Sequence, residues 1–190
     1  MPLVLIKSLT FALCLIPLGQ LLWWFFTDSF SPNPVEDIQH YSGEWALRLL
    51  LVTLAMTPLR RLSGWRWPIR IRRMLGLFAY FYMCLHFANY LVFDLTFDPV
   101  LLAEDLIKRR YITVGFACWL FLLPLAVTST NGWQRRLGRR WKQLHQLIYP
   151  AAILAILHFL WLVKADLLEP LIYAVILVLL LALRMRRPAK

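Results

Sequence analysis

The sequence predicts an all-α integral membrane protein, a six-helix transmembrane bundle with both termini on the cytoplasmic side. Three observations carry this. Hydrophobic residues make up 61% of the 190-residue chain, well beyond the share found in soluble domains. They gather into six apolar runs of spanning or near-spanning length. Basic and acidic residues sort to opposite ends of those runs.

In order, the runs cover residues 3–26, 45–59, 74–93, 112–127, 144–163 and 167–183. The first follows the pattern of a retained helix rather than a cleaved signal peptide, because it is long, has no Ala-x-Ala-like site and leads into further spans. The second and fourth are short, and each ends near a proline or a Thr/Ser cluster. Trp23, Trp24, Trp65, Trp133 and Trp141 stand at run ends, where amphipathic rings anchor a helix at the headgroups. In the outer connection 94–110, residues 99–107 place apolar and acidic side chains at helical spacing. This predicts a short amphipathic helix in the interface, either a lipid-facing cap or a docking surface. No soluble domain, internal repeat or long linker is left over, so residues 1–190 read as one domain.

Charge gives the orientation. Lys7, the arginines at 60, 61, 66, 70, 72 and 73, the group Arg135, Arg136, Arg139, Arg140 and Lys142, and the tail Arg184, Arg186, Arg187 and Lys190 alternate with runs so that all fall on one side. That side is cytoplasmic by the positive-inside rule. All ten acids, among them Asp28, Glu36, Asp37, Glu44, Asp98, Glu104 and Asp166, lie on or near the other face. The net charge of +11 thus reports topology and anionic lipid, not nucleic acid. Cys14, Cys84 and Cys118 fall singly inside apolar runs, which suits packing better than a disulfide, zinc or iron–sulfur site.

Ionisable residues inside spans point to function, and here they are histidines. His145 and His158 are thirteen residues apart in the fifth run, ~20 Å along a helix that crosses a ~30 Å apolar layer. His86 lies a similar distance into the third run, which also enters from the cytoplasm. It is therefore expected level with His158, and two facing imidazoles at one height suit a six-coordinate b-type haem. At the level of His145 the third run offers Arg72 and Arg73. Arginine does not ligate iron, but its fork binds a haem propionate or a flavin phosphate. The inner site is then a second haem on His145 or chiefly a flavin or quinone site. On an ideal helix His145 and His158 point roughly 140° apart, and Pro150 between them could change the phase. Arg48, about a turn into the second run, either snorkels or pairs with an outer propionate. His40 reads as a solvated or loop-packing residue. Thr128, Ser129, Thr130 and Asn131 read as a helix end near the inner site.

These residues also carry a resemblance. The runs Asn33-Pro34-Val35-Glu36-Asp37-Ile38-Gln39-His40, Arg72-Arg73-Met74-Leu75-Gly76-Leu77, Thr128-Ser129-Thr130 and Gly138-Arg139-Arg140-Trp141-Lys142-Gln143-Leu144-His145, with His86 and His158, resemble the MsrQ family. These are the haem-binding membrane subunits of bacterial periplasmic methionine sulfoxide reductase systems, within the ferric-reductase-like transmembrane group. The resemblance implies haem b (one or two) and FMN as cofactors, with His86, His145 and His158 matching the haem histidines. Arg72 and Arg73 match a flavin-side basic pair. It further implies a multi-pass protein of the bacterial inner membrane, taking electrons from the quinone pool or a cytoplasmic flavin reductase. The acceptor would be a periplasmic molybdopterin subunit that reduces methionine sulfoxide in oxidised proteins. Wider ferric reductases carry two histidines on each haem helix and a C-terminal FAD/NAD(P)H domain; here an arginine takes the fourth position and the chain ends at Lys190.

Three function classes follow. An electron conduit predicts a reducible b-type spectrum. A stand-alone ferric or oxygen reductase of the membrane surface needs an exposed haem edge. A haem-free scaffold or transporter leaves the level histidines without a purpose.

Overall fold

The computed structural model describes residues 2–163 and 167–185. Asp166, Arg186, Arg187 and Lys190, which contributed to the orientation argument, lie outside the described residues. Every regular element among the described residues is helical. Four helical stretches are long and apolar enough to cross a membrane: Leu3–Phe26, Trp67–Asp94, Arg110–Val127 and Arg139–Leu162. They correspond to the first, third, fourth and fifth expected runs. By internal contacts the chain divides into two compact units, Met1–Phe97 and Asp98–Lys190.

In the first unit α1 spans Leu3–Phe26, α2 Pro34–Ser63 and α3 Trp67–Asn89. The bounds of α1 coincide with the first apolar run. α2 begins eleven residues before the second run, in a stretch expected as an outer loop. Its start is built from Asn33, whose side chain accepts from the Glu36 N–H, with Pro34 as the first helical residue and Glu36 and Asp37 in the first turn. These cap the free N–H groups and suit the positive end of the helix dipole. Gly64, at φ 72°, closes it in the left-handed conformation. α3 buries Pro68, Ile71, Leu75, Ala79, Tyr82 and Asn89, a stripe at three- and four-residue spacing that His86 continues. Most of this stripe lies against α2, which buries Ala46, Leu50, Thr53 and Leu54.

Tyr82 turns instead towards α1. Its hydroxyl donates to the Cys14 carbonyl at 2.7 Å and accepts from the Leu18 N–H at 3.1 Å. Those two groups would bond each other in a regular turn, and Pro17 lies between them. The phenol is thus inserted into the α1 ladder, which serves an apolar medium where unsatisfied backbone is costly. Beyond α3 the chain makes a π-turn over Tyr90–Asp94, with Leu95 N–H bonded to the Tyr90 carbonyl.

In the second unit α4 spans Pro99–Lys108, α5 Arg110–Val127, α6 Asn131–Leu137, α7 Arg139–Leu144, α8 Ile148–Leu162 and α9 Leu168–Met185. The short amphipathic helix expected at 99–107 is α4. Asp98 caps it by accepting from the Val100 N–H. Glu104 pairs with Lys108, and Asp105 with Arg109. α5 buries Cys118, Leu122 and Leu125 against α8, whose Ala151 and Ala152 are fully buried. The Cys118 thiol reaches the Ala151 carbonyl, so this cysteine packs, as its apolar setting implies.

The phase change between His145 and His158 has a different source from the one expected. Residues His145–Leu147 form a 3-10 turn between α7 and α8. Pro150 then falls in the first turn of α8, where a missing N–H costs little. The helix is re-phased by tightening before the proline rather than by a kink at it.

An internal repeat, not expected from the sequence, joins the two units in construction. At an offset of 72 residues, Leu85-His86-Phe87 recurs as Leu157-His158-Phe159. Buried positions recur with it: Ala46 and Cys118, Leu50 and Leu122, Thr53 and Leu125, Ala79 and Ala151. The α2–α3 and α5–α8 hairpins are built to one register.

Candidate functional site

Each hairpin holds one histidine in the same way. In the first, His86 Nδ1 lies 2.9 Å from the Gln39 carbonyl. In the second, His158 Nδ1 lies 2.7 Å from the Tyr111 carbonyl. A backbone carbonyl only accepts, so Nδ1 carries the proton in both rings and the lone pair is on Nε2. An imidazole whose Nδ1–H is tied to a carbonyl is the usual form of a metal-ligating histidine, with ring orientation and tautomer both set.

Glycine makes this contact feasible. A helical side chain leans back over the turn before it, so the residue four positions after a carbonyl tends to cover it. Those residues are Gly43, four after Gln39, and Gly115, four after Tyr111. A Cβ on Gly43 would stand 2.9 Å from His86 Nδ1 and 3.0 Å from its Cε1. One on Gly115 would stand 2.7 Å from His158 Nδ1 and 2.9 Å from its Cε1. Carbonyl, glycine and histidine form a cradle, repeated at the 72-residue offset. Each cradle sets the tautomer that a haem-ligating imidazole needs, and in the first Nε2 also meets the Gln39 amide. Neither glycine nor the carbonyl-bearing residues stood out in the sequence, although the repeated Leu-His-Phe tripeptide marks the offset that finds them.

The first cradle has an additional layer. The Gln39 side-chain amide nitrogen lies 3.3 Å from His86 Nε2. Asn89 Nδ2 donates to Gln39 Oε1 at 2.7 Å and to the Val35 carbonyl at 3.0 Å.

His145 is held by a different arrangement. Thr128, at the C-terminus of α5, donates its hydroxyl proton to the Pro124 carbonyl at 2.6 Å. Its oxygen therefore accepts from His145 Nε2, 3.0 Å away. The Trp141 indole stacks on the imidazole with ring centroids 3.9 Å apart, and its N–H bonds the Thr128 carbonyl at 2.9 Å. Both His145 and His158 thus reach α5, one at each end. Their proton placement is opposite: Nε2 carries the proton in His145, so in its neutral form the lone pair is on Nδ1.

At the 72-residue offset His145 corresponds to Arg73 in the first hairpin. Arg73 is exposed. Its neighbour Arg72 donates to the Thr57 hydroxyl at 3.1 Å, across the same α2–α3 hairpin. Arg48 bonds Glu44 at 2.7 Å and lies over the Trp45 ring. His40 is exposed beside Glu36, in the second turn of α2 rather than in a loop.

Comparison with known proteins shows the family. Residues 42–156 match the family model described as ferric reductase like transmembrane component. That segment takes in Gly43, His86, Gly115 and His145, and stops two residues before His158. A protein of Xanthomonas axonopodis pv. citri is 53% identical over 184 residues, covering 94% of this chain and 84% of its own. One of Xanthomonas oryzae pv. oryzae is 51% identical over 187 residues, covering 95% and 86%. One of Herminiimonas arsenicoxydans is 50% identical over 185 residues, covering 96% and 85%. All three bear the name protein-methionine-sulfoxide reductase heme-binding subunit MsrQ. The chain belongs to the ferric reductase-like transmembrane family and, within it, to the MsrQ proteins.

Proposed function

We propose that this chain is a transmembrane electron-transfer subunit that binds haem b through His86 and His158 and serves a methionine sulfoxide reductase. The observation that carries the reading is the repeated cradle, in which a carbonyl fixes Nδ1–H and a glycine makes room for the ring. Six spans with both termini cytoplasmic complete the topology, α2 and α9 adding to the four apolar stretches. The positive-inside distribution of arginines supports the cytoplasmic placement of the termini, and the bacterial relatives suit an inner-membrane location.

Haem b would supply a one-electron carrier and FMN a carrier able to accept electrons in pairs and release them singly. Arg72 and Arg73, at the cytoplasmic end of α3, suit the phosphate of FMN or a propionate because a guanidinium fork binds such anions through paired hydrogen bonds. Arg48 is engaged by Glu44 and is the weaker partner for a propionate. His145 is the candidate for the inner level, as ligand to a second haem through Nδ1 or as a flavin-side group. The donor is the quinone pool or a cytoplasmic flavin reductase, and the acceptor a periplasmic molybdopterin subunit that reduces oxidised protein methionines. The names of the relatives support the acceptor's activity.

Vesicles carrying the chain test this. Haem reduced from the cytoplasmic side by NADH and a flavin reductase, or by quinol, should be reoxidised by methionine sulfoxide only when the periplasmic molybdopterin subunit is present. Equal reoxidation by ferric citrate or oxygen alone would instead make the chain a stand-alone surface reductase.

A further inference from the structure

The first cradle contains a contact built on two amide side chains. Gln39 engages both nitrogens of His86, its carbonyl at Nδ1 and its side-chain amide at Nε2. The equivalent positions in the second hairpin are Tyr111 and, for Asn89, Trp161, neither of which carries an amide. Because Nδ1 holds the proton, Nε2 is the acceptor and the Gln39 NH2 group the donor. The amide orientation is consistent, since Gln39 Oε1 accepts from Asn89 Nδ2. The amide therefore uses the lone pair that iron would need.

Asn89 provides a second place for that amide. It is 6% exposed, and its Oδ1 is buried without a hydrogen-bond partner among the described residues. A buried acceptor left unsatisfied is costly, more so in an apolar layer. Rotation of the Gln39 amide towards Asn89 would keep the Asn89 Nδ2 bond to Gln39 Oε1 and give Asn89 Oδ1 its missing donor. The two side chains would then form a reciprocal amide pair, and the Gln39 amide would give up its bond to His86 Nε2.

We propose that Gln39 is a positioning residue that guards the His86 ligand position, and that Asn89 receives its amide when haem iron takes Nε2. This rests on the reading of His86 as a haem ligand. The exchange breaks one hydrogen bond, forms another and makes one iron–nitrogen bond; no proton leaves Nδ1. It makes His86 a ligand whose availability the protein controls.

The test is haemin titration of the full chain, purified in detergent from haem-limited cells, together with haem loss to excess apomyoglobin from the loaded protein. Gln39→Leu removes the guard and keeps the carbonyl; it should bind haemin roughly threefold to tenfold more tightly, the range set by one ordinary hydrogen bond, and lose haem more slowly. Gln39→Met carries the same expectation should the leucine variant fold poorly. Asn89→Leu removes the receiving acceptor and should weaken binding by a similar factor. The double variant should return to the Gln39→Leu value, a reversal that simple damage to the site would not give. Equal or weaker binding by both Gln39 variants, or a double variant as weak as Asn89→Leu, overturns the proposal. Wild type that takes up no haem, or His86→Ala that holds haem as wild type does, overturns the ligand assignment itself.

Discussion

His158 donates its Nδ1 proton to the Tyr111 carbonyl at 2.7 Å across the α5–α8 interface, and it reaches that carbonyl because residue 115 has no side chain. The close approach makes the glycine a sensitive reporter. Gly115→Ala should lose most of its haem or shift the low-spin ferric EPR signal, and Gly43→Ala should act likewise on His86. In an exposed helix the same exchange would stabilise by about 1 kcal/mol. Full haem content, an unaltered EPR signal and a raised melting temperature would show that the imidazoles do not occupy these cradles.

Tyr82 links α3 to α1 by bonding the Cys14 carbonyl and the Leu18 N–H, an i, i+4 pair that its phenol holds apart. Tyr82→Phe keeps the ring and strands the Cys14 carbonyl and the Leu18 N–H, so a loss of about 1–3 kcal/mol is expected. Thermal unfolding in detergent should record it while the haem spectrum stays as in wild type. An unchanged melting temperature would mean that the α1 ladder closes without the phenol.

His145 differs from the cradled histidines in its proton placement and in its Trp141 stack. His145→Ala should reduce the b-type signal only in part. Thr128→Val, which removes the acceptor for Nε2–H, should reproduce the direction of that change with smaller size. Complete loss of haem in His145→Ala would make this residue an axial ligand on a par with His86 and His158.

Arg72 crosses the first hairpin to Thr57. Arg72→Gln should lower FMN content severalfold at constant haem content, and Arg72→Lys should not restore it, since a lysine lacks the planar fork. Flavin and haem per mole of purified protein measure both. A fall in haem with flavin unchanged would assign the arginine to a propionate instead.

Much of the helical frame was legible in the apolar runs, but not evenly. α1 could be bounded because its apolar run stops at Thr27 and Asp28. The first eleven residues of α2 were hidden because Glu36, Asp37, Gln39, His40 and Glu44 depress hydropathy, although Asn33, Pro34 and Glu36 together spell a helix start. The turn at His145–Leu147 has no compositional mark, so the phase relation of His145 and His158 was not readable. The histidines stood out because charge and polarity are expensive in a span. Their partners did not: a backbone carbonyl belongs to every residue, and glycines 43 residues before each histidine gain meaning only when the hairpins are closed.

The most direct test of the ligand assignment is the dithionite-reduced minus oxidised spectrum, with haem stoichiometry, of purified wild type and of His86→Ala, His158→Ala and His145→Ala. Loss of the b-type signal in the first two, with a partial effect in the third, is the predicted result. A well-folded wild type without haem, or a spectrum unchanged in His86→Ala and His158→Ala, would contradict it.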